Sequence, residues 1–205
     1  MNENNVDLRL PTRVVTPSFV LRVMTASDVP VWKHALEASD VHLRPWTPWV
    51  IDGRVPGLTL EQRLEIDADA FASSERWVYG IFNSDESEVI GGCGLYPRVG
   101  PRAVEIGYWV AAAHTRKGIA RQATLELTRL AFASSDIDHI DVRCEERNEV
   151  SARVASGLGY RMIDPAKSDA PPIPGSESTP LQTWRMTREE FSAVNGINPL
   201  VKVVT

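Results

Sequence analysis

The stretch YWVAAAHTRKGIARQATLEL, from Tyr108 to Leu127, combines a strand-like run, a short loop, a basic turn with one glycine and an amphipathic helix. A helix N-terminus leaves backbone N–H groups unpaired and carries partial positive charge, which suits a phosphate or pyrophosphate. Gly118 lets an anion approach the backbone closely, Ala120 is small for the same reason, and Arg116, Lys117 and Arg121 add cations. The bland alternative is a helix start whose basic residues are merely solvated. Two other phosphate signatures fail. No G-x-x-x-x-G-K-[ST] run occurs, and GGCG at Gly91–Gly94 neither continues as G-x-G-x-x-G nor precedes a helix.

Other residues invite a chemical reading. Alternation along AVEIGYWV puts Ala103, Glu105, Gly107 and Trp109 on one face, and Val104, Ile106, Tyr108 and Val110 on the other. A mid-strand carboxylate on an apolar or small face is costly unless it is paired or works in a cleft. Asn148 has N-cap chemistry, and Ser151 falls in the first turn of the helix it would start. Trp46 and Trp49 sit in RPWTPW, where two rings either pack as a satellite core or wall a pocket. Tyr160 reads as a core aromatic. His34, His42, His114 and His139 share no ligand spacing, so no metal site is expected.

The elements that must hold these residues follow from periodicity. FVLRVM (19–24) reads as a strand, and Ser27 and Asp28 can cap a helix carrying Val31, Ala35 and Ala38. HLRPWTPWVIDGRVPG has too much proline and glycine for regular structure, and Thr59 then caps a helix with Leu60, Leu64, Ala68 and Phe71 on one face. RWVYGIF, VIGGCGLYP and AVEIGYWV, joined by short turns, predict an antiparallel meander. Ile119, Ala123, Leu127, Leu130 and Ala131 mark a helix from about Gly118 to Ser134. DHIDVRC is a strand, Val150, Val154 and Leu158 mark a short helix that Gly159 closes, and YRMID and LQTWRM are two more strands. The order β α α β β β α β α β β is a mixed α/β layer fold with one central sheet. Residues 1–17 read as a flexible arm, 18–195 as one domain with a mobile proline-rich loop over 165–180, and 196–205 as a tail.

Composition bounds the rest. The chain has 205 residues, 43% of them apolar, enough for one core, and a net charge of −5 gives no general attraction for phosphate backbones. Nucleic acid is therefore not an expected partner. Cys93 and Cys144 match no zinc or redox spacing and read as reduced, buried thiols of a cytoplasmic protein. No apolar run approaches the ~20 residues of a membrane span, and the polar start is not a secretory signal.

In element order, from about residue 18 to 191, the chain resembles the GNAT superfamily of acetyl-CoA-dependent N-acetyltransferases, and within it the RimJ/RimL-like branch. The family's acyl-CoA turn, R/Q-x-x-G-x-G/A, appears as Thr115-Arg116-Lys117-Gly118-Ile119-Ala120, with Thr115 in place of the leading Arg or Gln. HLRPWTPW, VEIGYWV and NEVSARVASGLGY are similar to segments of that branch. The resemblance implies a splayed, mostly antiparallel sheet with pantetheine beside Trp109–Val110, and acetyl-CoA as co-substrate on Thr115 to Arg121. It implies transfer to a primary amine by direct attack, with Glu105 as base, Ser151 beside the leaving thiolate and Asn148 on CoA or substrate. Trp46 and Trp49 would line the acceptor site, and Arg44 would hold an acidic group there. The branch favours the α-amine of a peptide or protein N-terminus. A small-molecule amine acceptor, a non-catalytic acyl-CoA-binding module and a misread nucleotide-binding domain stay open as alternatives, with a monomer or homodimer as the assembly.

Overall fold

A computed structural model describes residues 6, 8–47, 50, 57–163 and 180–195. Among them eight strands form one sheet: β1 (Arg13–Val15), β2 (Val20–Arg22), β3 (Trp77–Phe82), β4 (Val89–Tyr96), β5 (Ala103–Val110), β6 (His139–Glu145), β7 (Arg161–Ile163) and β8 (Leu181–Thr187). Their spatial order is β1-β2-β3-β4-β5-β6-β8-β7. Every neighbouring pair is antiparallel except β5 and β6, which run parallel. The helices are α1 (Val29–Leu43), α2 (Leu60–Ala72), α3 (Ile119–Ala133), α4 (Glu149–Gly157) and α5 (Arg188–Asn195). The mixed α/β class and the meander of β3, β4 and β5 are as expected. The parallel step arises because α3 carries the chain back across the sheet, as a crossover between parallel strands requires.

Alternate residues of a strand point to opposite faces. Leu21 and Ile81 join the larger apolar cluster with α3, while their neighbours Val20 and Phe82 join a smaller one with Trp32, Ala35 and Leu36 of α1 and Leu64 of α2. The two helix sets therefore cover opposite faces. The expected stripe Ile119, Ala123, Leu127, Leu130 and Ala131 of α3 is buried throughout. Arg188 at the start of α5 donates to the carbonyls of Phe132, Ser134 and Ile137, satisfying acceptors that the end of α3 leaves open. At Gly92 of β4 a Cβ would lie 2.4 Å from Nε1 of Trp109, so only glycine lets that ring lie against the sheet.

Several expectations are corrected. Ala38 is exposed, because the buried stripe of α1 runs through Trp32, Ala35, Leu36, Ser39 and Leu43 instead. This helix also continues through His42 and Leu43, which the sequence reading placed in the irregular segment. Val150 of α4 is exposed, whereas Val154 and Leu158 do pack against the core. Leu8, expected in a loose arm, is fully buried, and Arg13–Val15 pairs with β2 as the edge strand. Three residues are too few to display a period, so β1 has no signature in the pattern. The helix α5 was likewise not expected: its one large aromatic, Phe191, finds its partner ring in Phe132, 5.2 Å away on α3. Residues 165–179 lie outside the described residues, as does the tail.

Candidate active site

The parallel pairing of β5 with β6 runs from Ala103–His139 to Ile106–Val142 and stops. Both strands continue, each paired only on its outer edge. Gly107–Val110 pairs with β4, and Arg143–Glu145 pairs with β8. A wedge therefore opens between the two strands, edged by backbone N–H and C=O groups without a strand partner on that side. Such an edge can hydrogen-bond an extended, amide-bearing ligand.

The N-terminus of α3 follows the upper end of β5. Gly118 caps it with φ +77°, Arg116 two residues earlier is also left-handed at φ +62°, and no side chain caps the first turn. Elsewhere the Thr59 hydroxyl accepts from the Gln62 amide to cap α2, and the Asn148 Oδ1 accepts from the Ser151 amide to cap α4. The first-turn amides of α3 thus remain free for an outside acceptor. Arg116, Lys117 and Arg121 are exposed and form no ion pair with another described residue, and a Cβ at Gly118 would meet nothing within 4 Å. Room, free donors and cations together fit a pyrophosphate. Thr115 turns inward, its hydroxyl donating to the Ala112 carbonyl at 3.1 Å, while the Ala112 amide donates to Ser39 of α1 at 3.0 Å. Ile119 is buried, leaving its amide rather than its side chain for a ligand. Ala120 is half-buried, the Trp109 ring packs toward α1, and Val110 packs toward α3.

Glu105 is not placed as a base. It is 2% exposed. Its Oε2 accepts from Arg143 Nε at 2.9 Å, Arg143 Nη2 at 2.6 Å and Arg98 Nε at 2.9 Å, and its Oε1 accepts from Arg98 Nη2 at 2.8 Å. Two guanidinium groups thus donate four N–H bonds to this carboxylate, three to Oε2 and one to Oε1, which commits it to holding the strands together. Burial by itself would lower the Arg98 guanidinium, and the Glu105 carboxylate outweighs it, holding that arginine above its ordinary range. Strand alternation placed the carboxylate on the right face. The arginines come from the β4–β5 turn and from β6, which are brought beside it only by the sheet.

Other acid and imidazole groups around the wedge are also engaged. Glu145 at the end of β6 meets Arg147 at 2.6 Å, and His114 meets Glu88 at 2.8 Å. Ser151 is drawn into a small cluster. Its hydroxyl lies 2.8 Å from the Tyr108 hydroxyl across the wedge. Burial pushes the Tyr108 phenol up, and the Ser151 hydrogen bond only partly offsets it; burial pushes the Cys144 thiol up as well. Tyr108 was missed as a functional residue. The available signal was a hydroxyl on an otherwise apolar strand face, which demands a partner when buried. Tyr160 is core, its hydroxyl 2.7 Å from that of Thr128.

On the facing side, Arg147 links the loop after α1 to the lip of the wedge. Its guanidinium lies 5.0 Å from the Trp46 ring centre, and its Nη2 donates to the Pro45 carbonyl at 3.3 Å. Trp46 is therefore brought to the wedge. Arg44 is held back along α1 by Asp40 at 2.8 Å, so it does not stand as an open clamp for an acidic group. Trp49 lies outside the described residues.

A family model described as an acetyltransferase (GNAT) domain matches residues 18–161. The chain is 29% identical over 87 residues to an uncharacterized N-acetyltransferase, YjdG, of Bacillus subtilis (strain 168), covering 42% of this chain and 51% of that protein. It is 31% identical over 85 residues to an uncharacterized N-acetyltransferase, p20, of Bacillus licheniformis, covering 40% and 47%. The matched stretch thus spans about half the length of these curated relatives. Among solved structures, the RimL ribosomal L7/L12 α-N-protein acetyltransferase in complex with coenzyme A is 17% identical with a TM-score of 0.67, covering 85% of this chain and 96% of that one. Mycobacterium smegmatis RimJ in complex with CoA-disulfide is 20% identical with a TM-score of 0.65, covering 84% and 83%. The microcin C7 self-immunity acetyltransferase MccE, solved with acetyl-CoA and AMP, is 14% identical with a TM-score of 0.71, covering 87% and 98%. These structural likenesses speak to the fold.

Proposed function

We propose, from the premise that the chain belongs to the GNAT acetyltransferase family, that it transfers acetyl from acetyl-CoA to the α-amine of a peptide or protein N-terminus. One observation carries the reading: the β5–β6 wedge opens beside a helix N-terminus left uncapped and flanked by three cations. The free amides of α3 with Arg116, Lys117 and Arg121 bind the pyrophosphate, and the inner edges of β5 and β6 hold the pantetheine arm. The thioester then lies in the wedge near Ser151. The amine nitrogen attacks the carbonyl carbon, the C–N bond forms, the C–S bond breaks, and the Ser151 hydroxyl hydrogen-bonds the departing thiolate.

The engaged state of Glu105, Glu145 and His114 bears on the acceptor. With the Glu105 and Glu145 carboxylates both held in ion pairs, the amine that reacts fastest is one already neutral. An α-amine with pKa near 8 is roughly 10% neutral at pH 7, whereas a lysine amine near 10.4 is about 0.04% neutral. This difference of two orders of magnitude supports the α-amine, as does the α-N-protein acetyltransferase activity for which the RimL structure is named. It also argues against aliphatic polyamines as acceptors, whose amines resemble that of lysine.

The test mixes the protein with acetyl-CoA and a peptide library in two forms, with free or blocked N-termini. Thiol release above the hydrolysis blank is expected with free N-termini only, and mass analysis should find the acetyl group on the α-nitrogen. Release that depends on lysine side chains would overturn the acceptor assignment. Tight acetyl-CoA binding without release to any amine would make the chain a binding module instead.

A further inference from the structure

We infer that Tyr108 is a positioning residue that aims the hydroxyl hydrogen of Ser151 at the sulfur leaving in the wedge. The inference rests on the acetyl-transfer reading above. Tyr108 lies beyond Ile106, the last residue of β5 paired with β6, and its side chain reaches over to the first turn of α4. Its hydroxyl is 2.8 Å from Ser151 Oγ, either atom being able to donate. The direction follows from the surroundings. Ser151 has one hydrogen to give and two lone pairs with which to accept. The phenol of Tyr108 makes no other hydrogen bond among the described residues, so its hydrogen goes to Ser151 Oγ. Having accepted from the tyrosine, Ser151 keeps its single hydrogen for another partner.

Ser151 is half-buried and stands at the start of α4, its backbone amide held by Asn148 at 3.1 Å. Its backbone is therefore fixed by the cap and its oxygen by the tyrosine, which leaves its hydrogen for a group in the wedge. A serine hydroxyl is a poor acid. A donor whose oxygen already accepts hydrogen bonds is nonetheless a stronger donor, because such chains polarise one another. No proton needs to leave Tyr108. The thiolate is stabilised by the serine hydrogen bond as the C–S bond lengthens, and it is protonated at the expense of the amine, which must lose a proton in becoming an amide.

Steady-state kinetics on the full chain test this. Tyr108→Phe should lower kcat about tenfold, keep the acetyl-CoA KM within about twofold and leave the melting temperature nearly unchanged. Ser151→Ala should lose a similar factor, and adding Tyr108→Phe to it should cost nothing more, since both changes remove one function. A purely structural tyrosine would instead multiply the two losses. A second probe does not depend on truncation: a fluorinated tyrosine at position 108 keeps the ring and makes the phenol more acidic. It should retain the rate at neutral pH and lose it at alkaline pH, where a phenolate cannot donate. Wild-type kcat in Tyr108→Phe, a further tenfold loss in the Ser151→Ala background, or an unchanged alkaline limb with the fluorinated residue overturns the inference. Wild-type protein that releases no thiol with any free N-terminus overturns the acetyl-transfer reading itself.

Discussion

Glu105 and Arg143 meet from neighbouring parallel strands, Arg143 Nη2 standing 2.6 Å from Glu105 Oε2 with each side chain only 3% exposed. Glu105 lies one residue before Ile106, at which the pairing of β5 and β6 ends. The pair, joined by Arg98, thus rivets the sheet at the apex of the wedge. The carboxylate that alternation singled out holds the site together from beneath.

Glu105→Gln is therefore expected to act on stability first. Removing one partner of a buried ion pair strands the other charge and costs about 3–5 kcal/mol. Urea unfolding should show a loss of this order, and the protein that remains folded should keep the pH dependence of the wild type. A stable variant whose lost turnover returns at high pH would restore Glu105 as the base.

Gly118→Asp should lower acetyl-CoA affinity at least about tenfold, or ~1.4 kcal/mol, because it sets a negative charge beside the free amides of α3. Gly118→Ala separates charge from backbone strain. At φ +77° an alanine should cost stability of about 1 kcal/mol, yet its Cβ meets nothing within 4 Å of protein, so affinity should fall far less than with aspartate. Calorimetry that finds wild-type affinity in the aspartate variant would locate the phosphates elsewhere.

Arg147→Ala should release the Trp46 loop from the lip of the wedge. The expected signature is a several-fold rise in the acceptor's KM with acetyl-CoA affinity nearly constant. Because Arg147 is 61% exposed, the cost in stability should stay below about 1 kcal/mol. Trp46→Ala should move the same constant. A fall in melting temperature with an unchanged acceptor KM in both variants would reduce this contact to packing.

Stability should decline as pH falls below about 6.5, in part through His139. Burial, reinforced by Arg185, pushes this imidazole below its ordinary range, against an upward pull from Asp141, Asp138 and a backbone hydrogen bond to Val99. Its Nε2 is buried without a hydrogen-bond partner among the described residues. The unfolded chain then takes up a proton that the folded one accepts only at lower pH, so this contribution is present above pH ~6.5 and is lost on acidification. His139→Gln should flatten the curve of unfolding free energy between about pH 5 and 7. An identical slope in the variant would remove His139 from this acid sensitivity, whereas the Asp28 contribution is lost only below about pH 4. There burial raises the carboxyl, but hydrogen bonds from Arg22 and Thr25 outweigh it and leave it lowered.

Sequence by itself determined the features that depend on neighbours along the chain. A stripe at 3.6-residue spacing specified α3 from Ile119 to Ala131, and alternation specified the faces of β5. The caps at Thr59 and Asn148 and the turn around Gly118 were equally local, because a cap bonds an amide two or three residues away. So was the phosphate-ready end of α3, whose free amides and basic residues belong to one continuous segment. Tertiary structure alone decided what Glu105 does, since Arg98 and Arg143 lie seven and thirty-eight positions away in opposite directions along the chain. It decided that Tyr108 meets Ser151, forty-three residues later. It also decided where the wedge opens, because β5 and β6 stay paired to β4 and β8 on their outer edges while their pairing to each other stops at Ile106 and Val142. The physical reason is common to all three. Periodicity tells which way a side chain points, whereas its partner is whatever the folded sheet brings to that spot.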